Sequence, residues 1–104
     1  MYARNVALNL KANSQSEFGR MLETDVLPVL RKQNGFKDEI TFVAPNGTDA
    51  LAITLWENRE KSESFARDAY PGVLASLATV IDGTPRVETY EVKNSTFHKI
   101  ASKN

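Results

Sequence analysis

The run Leu51-Ala52-Ile53-Thr54-Leu55-Trp56 constrains this chain more than any other segment. Built as a strand, it points successive side chains to opposite faces. Leu51, Ile53 and Leu55 then line one side, and Ala50, Ala52, Thr54 and Trp56 line the other. Both sides are apolar, so both need cover. A chain of 104 residues has room for one hydrophobic core, and its helices suffice for one side only. A second copy of the same sheet is the simplest cover for the other. Leaving three large aliphatic side chains in water forgoes about 1.5–3 kcal/mol each, so roughly 5–9 kcal/mol favours association before entropic losses. A homodimer paired through the sheet face is therefore expected, symmetric pairing being the commonest solution. The alternative is that the C-terminal tail folds over the open face.

The rest of the chain supplies the other elements. Val6, Leu8 and Leu10 alternate with Asn5, Ala7 and Asn9, which predicts a first strand over about residues 2 to 11. Ser14 and Glu17 have the spacing of a capping box. The helix that follows carries Phe18, Met21, Leu22, Val26, Val29 and Leu30 on one face. Pro28 is expected to kink it, since proline lacks an N–H and its ring crowds the carbonyl of Thr24. Asn34-Gly35 ends it. Phe36, Ile40 and Phe42 are expected on one face of a second strand, which Pro45-Asn46-Gly47-Thr48 joins to the third as a hairpin. Asn58 is the expected N-cap of a second helix, broken at Tyr70-Pro71-Gly72. The piece after the break carries Val73, Leu74, Leu77 and Ile81 and closes at Asp82-Gly83-Thr84-Pro85. Val87 to Val92 form the last strand.

The order β-α-β-β-α-β is the ferredoxin-like α+β arrangement, a four-stranded antiparallel sheet with the helices on one face. Residues 1–93 form this domain, and 94–104 a polar tail.

Composition excludes several classes. Thirteen basic residues balance thirteen acidic ones, leaving no electrostatic footprint for nucleic acid or an anionic membrane. The absence of cysteine rules out disulfides and thiolate chemistry. No apolar run reaches a membrane span, and the N-terminus lacks the pattern of a signal peptide, so a cytoplasmic location is expected. Asn46-Gly47-Thr48 and Asn94-Ser95-Thr96 match a glycosylation pattern but read as turns.

Candidate binding residues cluster around Trp56. Thr54, Ala52 and Ala50 share its face, and a first strand aligned alongside is expected to add Ala3, Asn5 and Ala7. Small side chains beside one indole leave space, and a polar Asn5 in an apolar recess would orient a ligand. Otherwise Trp56 simply fills the core. Tyr70 falls at the helix break, where a pocket mouth would open, and is either a hydrogen-bond donor to a ligand or an ordinary half-buried tyrosine; Tyr90 reads the same way. His98, the single histidine, lies in the polar tail and supports no metal site. Glu57, Glu60 and Glu63 suit a solvated helix start. No general base is legible.

Gly35-Phe36, the hairpin, Leu55-Trp56-Glu57-Asn58 entering the second helix, and Gly83-Thr84-Pro85 together resemble the antibiotic biosynthesis monooxygenase-like family over about residues 2 to 93. The resemblance implies a dimeric α+β barrel, two sheets packed face to face. It further implies a cofactor-independent monooxygenase using dioxygen on an aromatic or quinol-like small molecule, or a non-catalytic binding or stress-associated module of the same fold. No cofactor is expected. In the cofactor-free branch the electron-rich substrate anion itself reduces oxygen, while the protein holds and desolvates it. Asn5, Thr54, Trp56 and Tyr70 would then be substrate-binding residues. The family's haem-degrading branch shares a first-strand Asn and a third-strand Trp, matched by Asn5 and Trp56. It also needs an axial histidine on the second helix, and residues 59 to 81 contain none.

Overall fold

The computed structural model describes residues 1–100. Strand β1 (Tyr2–Leu10) is followed by helix α1 (Gln15–Met21), a π-helical turn (Leu22–Val26) and helix α2 (Leu27–Arg31). Strands β2 (Phe36–Val43) and β3 (Asp49–Trp56) form the hairpin, helices α3 (Arg59–Asp68) and α4 (Tyr70–Leu77) follow, and β4 (Ile81–Glu91) ends the domain. The sheet runs β2-β3-β1-β4 with all three pairings antiparallel. This is the ferredoxin-like α+β fold. Among the described residues no helix is long and apolar enough to cross a membrane.

Register decides what each face carries. Tyr2 lies opposite Trp56, Arg4 opposite Thr54 and Val6 opposite Ala52, so even positions of β1 and β3 share a face. Val6, Leu8, Leu10, Ala50 and Trp56 pack there against Phe18, Val26, Leu30, Phe65, Val73 and Leu77 of the helices. The opposite face carries Leu51, Ile53 and Leu55, with Ile40 and Phe42 of β2 each left 50% exposed. On β2 the inward positions are Glu39, Thr41 and Val43. The edge strand therefore turns acidic and hydroxyl groups toward the helices and its apolar groups away from them. That polarity is the reverse of a strand whose outer face meets water. Phe36 departs from the expected grouping with Ile40 and Phe42. A register shift between Phe36 and Asp38 moves its ring to the helix side, 5.6 Å from Trp56 in an edge-on contact.

Local signals held unevenly. Asn58, with extended backbone, accepts from the Lys61 N–H at 3.0 Å as the N-cap of α3. The capping box does not form: Asn13 enters at φ 60°, Ser14 sits at φ −104°, ψ 3°, and Glu17 binds Arg20 instead. An N-cap serine needs extended backbone to reach N2 or N3, which Ser14 lacks. At Pro28 the expected kink takes the form of a π turn one residue upstream, where the Leu27 N–H reaches back to the Leu22 carbonyl. The apolar face continues beyond it, with Leu30 2% exposed.

The last strand is longer than its sequence predicts. Ile81, expected on the helix, pairs with Leu10, and Asp82-Gly83-Thr84-Pro85 lie within β4 rather than in a closing turn. A register shift between Ala7 and Asn9 accommodates them, with Gly83 at φ 70°. At Asn46-Gly47 the turn reading is correct: the Asn46 side-chain oxygen accepts from the Thr48 and Asp49 N–H groups at 2.9 and 3.0 Å. The tail reaches onto the open face, where His98 contacts Asp38 and, with Phe97, borders a recess lined by Ile40, Ile53 and Leu55, while Phe97 stays 85% exposed.

Gly35 closes the first helical segment at φ +83°, and its carbonyl accepts from the Glu57 N–H at 2.7 Å. An added Cβ would run into the Lys61 side chain at Cγ. Gly35→Ala is expected to destabilise the fold by about 1–2 kcal/mol from the left-handed backbone alone. Denaturant titration checks this, and an unchanged midpoint would contradict it.

Candidate functional site

A cavity of about 50 Å³ lies between the sheet and the helices. Its walls are mostly aliphatic: Val6 and Leu8 from β1, Leu22 and Val26 from the π turn, Leu74 and Leu77 from α4. Four polar residues also border it, Arg4, Glu39, Thr54 and Tyr70, almost wholly through their carbon atoms. Three of these form one row across the sheet, since Thr54 of β3 pairs with Arg4 on one side and Glu39 on the other. At about 4.8 Å per strand, the backbones of Arg4 and Glu39 stand about 10 Å apart. An acidic and a basic group thus flank the same apolar space.

Their environments differ in useful ways. Arg4 is 8% exposed, and none of the ion pairs found among the described residues involves it. Its guanidinium carbon lies 4.4 Å from the centroid of the Tyr70 ring, a cation–π contact. Burial lowers the Arg4 pKa, and the adjacent Tyr70 opposes that shift. Burial likewise pushes the Tyr70 phenol above its usual range, with the Arg4 charge pulling the other way. Glu39, partly buried, is held above the ordinary carboxylate range by burial, partly offset by the hydroxyl of Thr41 that donates to it. A carboxyl tuned upward beside an apolar space fits general acid–base work.

The four residues singled out by sequence fall in three places. Tyr70 lines the cavity, and its buried hydroxyl lies beside the Arg4 guanidinium that stacks on its ring. Thr54 also lines it, but its hydroxyl is engaged, accepting from Trp56 Nε1 at 2.8 Å and donating to the Arg4 carbonyl at 3.5 Å. Trp56 is fully buried beneath the site rather than in it, stacked 4.8 Å from Phe65, which does reach the cavity. Asn5 requires a correction. Its partner is Ile53, so it projects from the face opposite Trp56, and its buried Oδ1 has no partner among the described residues. The antiparallel register, offset by one from the assumed alignment, is the cause, because a single step exchanges the faces.

Arg4 and Glu39 were not singled out beforehand. Both sit in alternating strands where a charged residue ordinarily faces water. The available signal was the apolar half of β2: if Ile40 and Phe42 face a partner, Glu39 must face the helices.

An α+β sheet with a polar row beneath a helical roof defines the class. No protein-family profile matches the chain, and no curated protein sequence matches it. Solved structures do. The monooxygenase from the gene ActVA-Orf6 of Streptomyces coelicolor, in complex with Nanaomycin D, superposes with a TM-score of 0.75 at 16% identity, over 94% of this chain and 92% of that one. SnoaB from Streptomyces nogalater, a cofactor-independent oxygenase, gives 0.73 at 11% identity over 91% and 95%. A structure from Deinococcus radiodurans named for antibiotic biosynthesis monooxygenase gives 0.72 at 13% identity over 98% and 100%. The chain has the fold of the antibiotic biosynthesis monooxygenases.

Proposed function

We propose that this protein is a cofactor-independent monooxygenase acting on an aromatic or quinol-like small molecule, and that it works as a homodimer paired through the open sheet face. The observation that carries the chemistry is the pairing of Glu39 with an apolar cavity roofed by helices, in a fold shared with named oxygenases. Glu39 removes a proton from an activated CH₂ of the substrate's keto form. The resulting carbanion is electron-rich and reduces dioxygen directly, giving a hydroperoxide once the proton returns. Loss of water then leaves a carbonyl: one oxygen atom enters the product, the other leaves as water, and all four electrons come from the substrate. Tyr70 supplies a hydrogen bond to the developing oxyanion. Thr54 and Trp56 hold the floor in position through their mutual hydrogen bond.

Size favours a second reading. A cavity that accepts benzene measures about 150 Å³, three times the space found here. A ring enters only if the lining side chains give way; otherwise the site captures a smaller ligand without turnover. Oxygen uptake with a panel of quinols separates the two. Catalysis predicts uptake that falls at least about tenfold in Tyr70→Phe, the order expected for losing one oxyanion donor or somewhat less. Binding of those quinols with no uptake would leave the capture reading.

A further inference from the structure

We propose that residues 94–100 form a strap over the open sheet face of their own subunit, competing with a second copy of the chain for the same apolar seat, so that the tail sets how readily subunits pair. The inference rests on reading that face as the pairing surface.

The tail runs across the strands. Asp38, Leu55, Ala3 and Tyr90 stand in one row over the open face, from the β2 edge of the sheet to the β4 edge. Strand β4 ends at Glu91, beside one end of that row, and His98 meets Asp38 at the other. The Val92 N–H donates to the Met1 carbonyl at 2.9 Å, tying the departing chain to the start of β1. Three strand spacings measure about 14 Å, and the chain from Glu91 to His98 reaches up to about 24 Å. Its length suffices to cross the whole sheet. Phe97 and His98 border a recess of about 320 Å³ on this face, with Ile40, Ile53 and Leu55 as its apolar walls.

The strap is shut but not packed. Ser95 Oγ accepts from the Phe97 and His98 N–H groups at 3.0 and 3.2 Å, which shapes the arm. His98 Nε2 then lies against the Asp38 carboxylate, whose side chain is half-exposed. Exposed pairs of this kind contribute little. Phe97 stays outside the recess it borders, and Ile40 and Phe42 each keep half of their surface in water. Such a cover lifts easily.

Space makes the strap and a second sheet exclusive. Packed sheets stand about 10 Å apart and fill the gap with their own side chains. A chain segment beside Ile40, Ile53 and Leu55 occupies that gap, so a second sheet seats only after the segment leaves. Apparent affinity falls with the fraction of subunits that are open, and both partners must be open. A strap shut half of the time therefore weakens pairing about fourfold.

Sedimentation of the full chain over a wide concentration range is the measurement. His98→Ala removes the tie and leaves the sheet untouched; pairing is expected to tighten about fourfold or more. The chain has no cysteine, so Asp38→Cys combined with His98→Cys gives a lock closed only by its own disulfide. Oxidised at high dilution, this variant should stay single at concentrations where the native chain pairs, and reduction should restore pairing. An oxidised lock that pairs like the native chain overturns the proposal, because tail and second copy would then share the face. So does a His98→Ala chain that pairs no more tightly than the native one; weaker pairing would make the tail a clasp instead. Native pairing unmoved by either change fells the strap alone. Single subunits throughout, in native, His98→Ala and reduced chains alike, fell the homodimer reading and the competition with it.

Discussion

Replacing Glu39 by Gln is expected to slow oxygen uptake with a responsive quinol by about 10²–10⁴-fold, the usual worth of a general base. The pH dependence gives the prediction its shape. Burial raises the Glu39 pKa, outweighing the hydrogen bond from Thr41 that lowers it. Glu39 therefore ionises at higher pH than an ordinary glutamate, and the rise of native turnover with pH should be displaced in that direction. Stability moves the other way. A carboxyl whose folded pKa exceeds its unfolded one contributes stability fully present below the unfolded value and lost as pH rises through the folded one. Glu39→Gln should thus gain in relative stability from acid toward neutral pH while its activity stays low. Paired pH–rate profiles and thermal melts at acid and neutral pH check both trends. An unchanged rate, or a rate limb at the ordinary carboxylate position, would remove Glu39 from the mechanism.

Ile53→Lys is expected to give single subunits where the native chain is paired. Ile53 stands in the middle of the open face, with Asn5 and Ile40 as its cross-strand neighbours. In one subunit it is only half-buried, so lysine there costs the isolated fold little. Across a paired sheet face the same ammonium would be buried without a counterion, a loss of several kcal/mol. Four kcal/mol corresponds to about a 10³-fold weaker dissociation constant. Sedimentation over a wide concentration range measures this. Native and variant chains of identical mass at every concentration would show that the apolar face is not the contact.

What the sequence disclosed depended on how local each signal was. The two faces of β3, the Asn58 cap, the Gly35 stop and the break at Tyr70 follow from neighbours within a few positions, and all appear in the structure. Asn5 was misplaced because its facing depends on the register between two strands some 50 residues apart in sequence. One strand in isolation carries no information about that offset. The β4 start was missed for a related reason: Asp82 to Pro85 reads as a turn until the shift opposite Ala7 and Asn9 accommodates it. The cavity itself was legible only as small residues beside Trp56. Its polar members were hidden, since Arg4 and Glu39 are ordinary surface residue types and only the sheet brings them into one row with Thr54.

The π turn at Leu22–Val26 has a consequence for what this chain tolerates. Removing one residue from a helix rotates everything downstream by about 100°. Here the segment already carries one extra residue, because the Leu27 N–H reaches the carbonyl five positions back rather than four, and Leu30 is 2% exposed with that residue in place. Point substitutions at Glu23, Thr24 or Asp25 alter only solvent-facing groups. Shortening the segment by a single position would restore an ordinary α-helical turn and leave Leu30 on the sheet, so homologous chains should differ here by one residue without disarranging the roof.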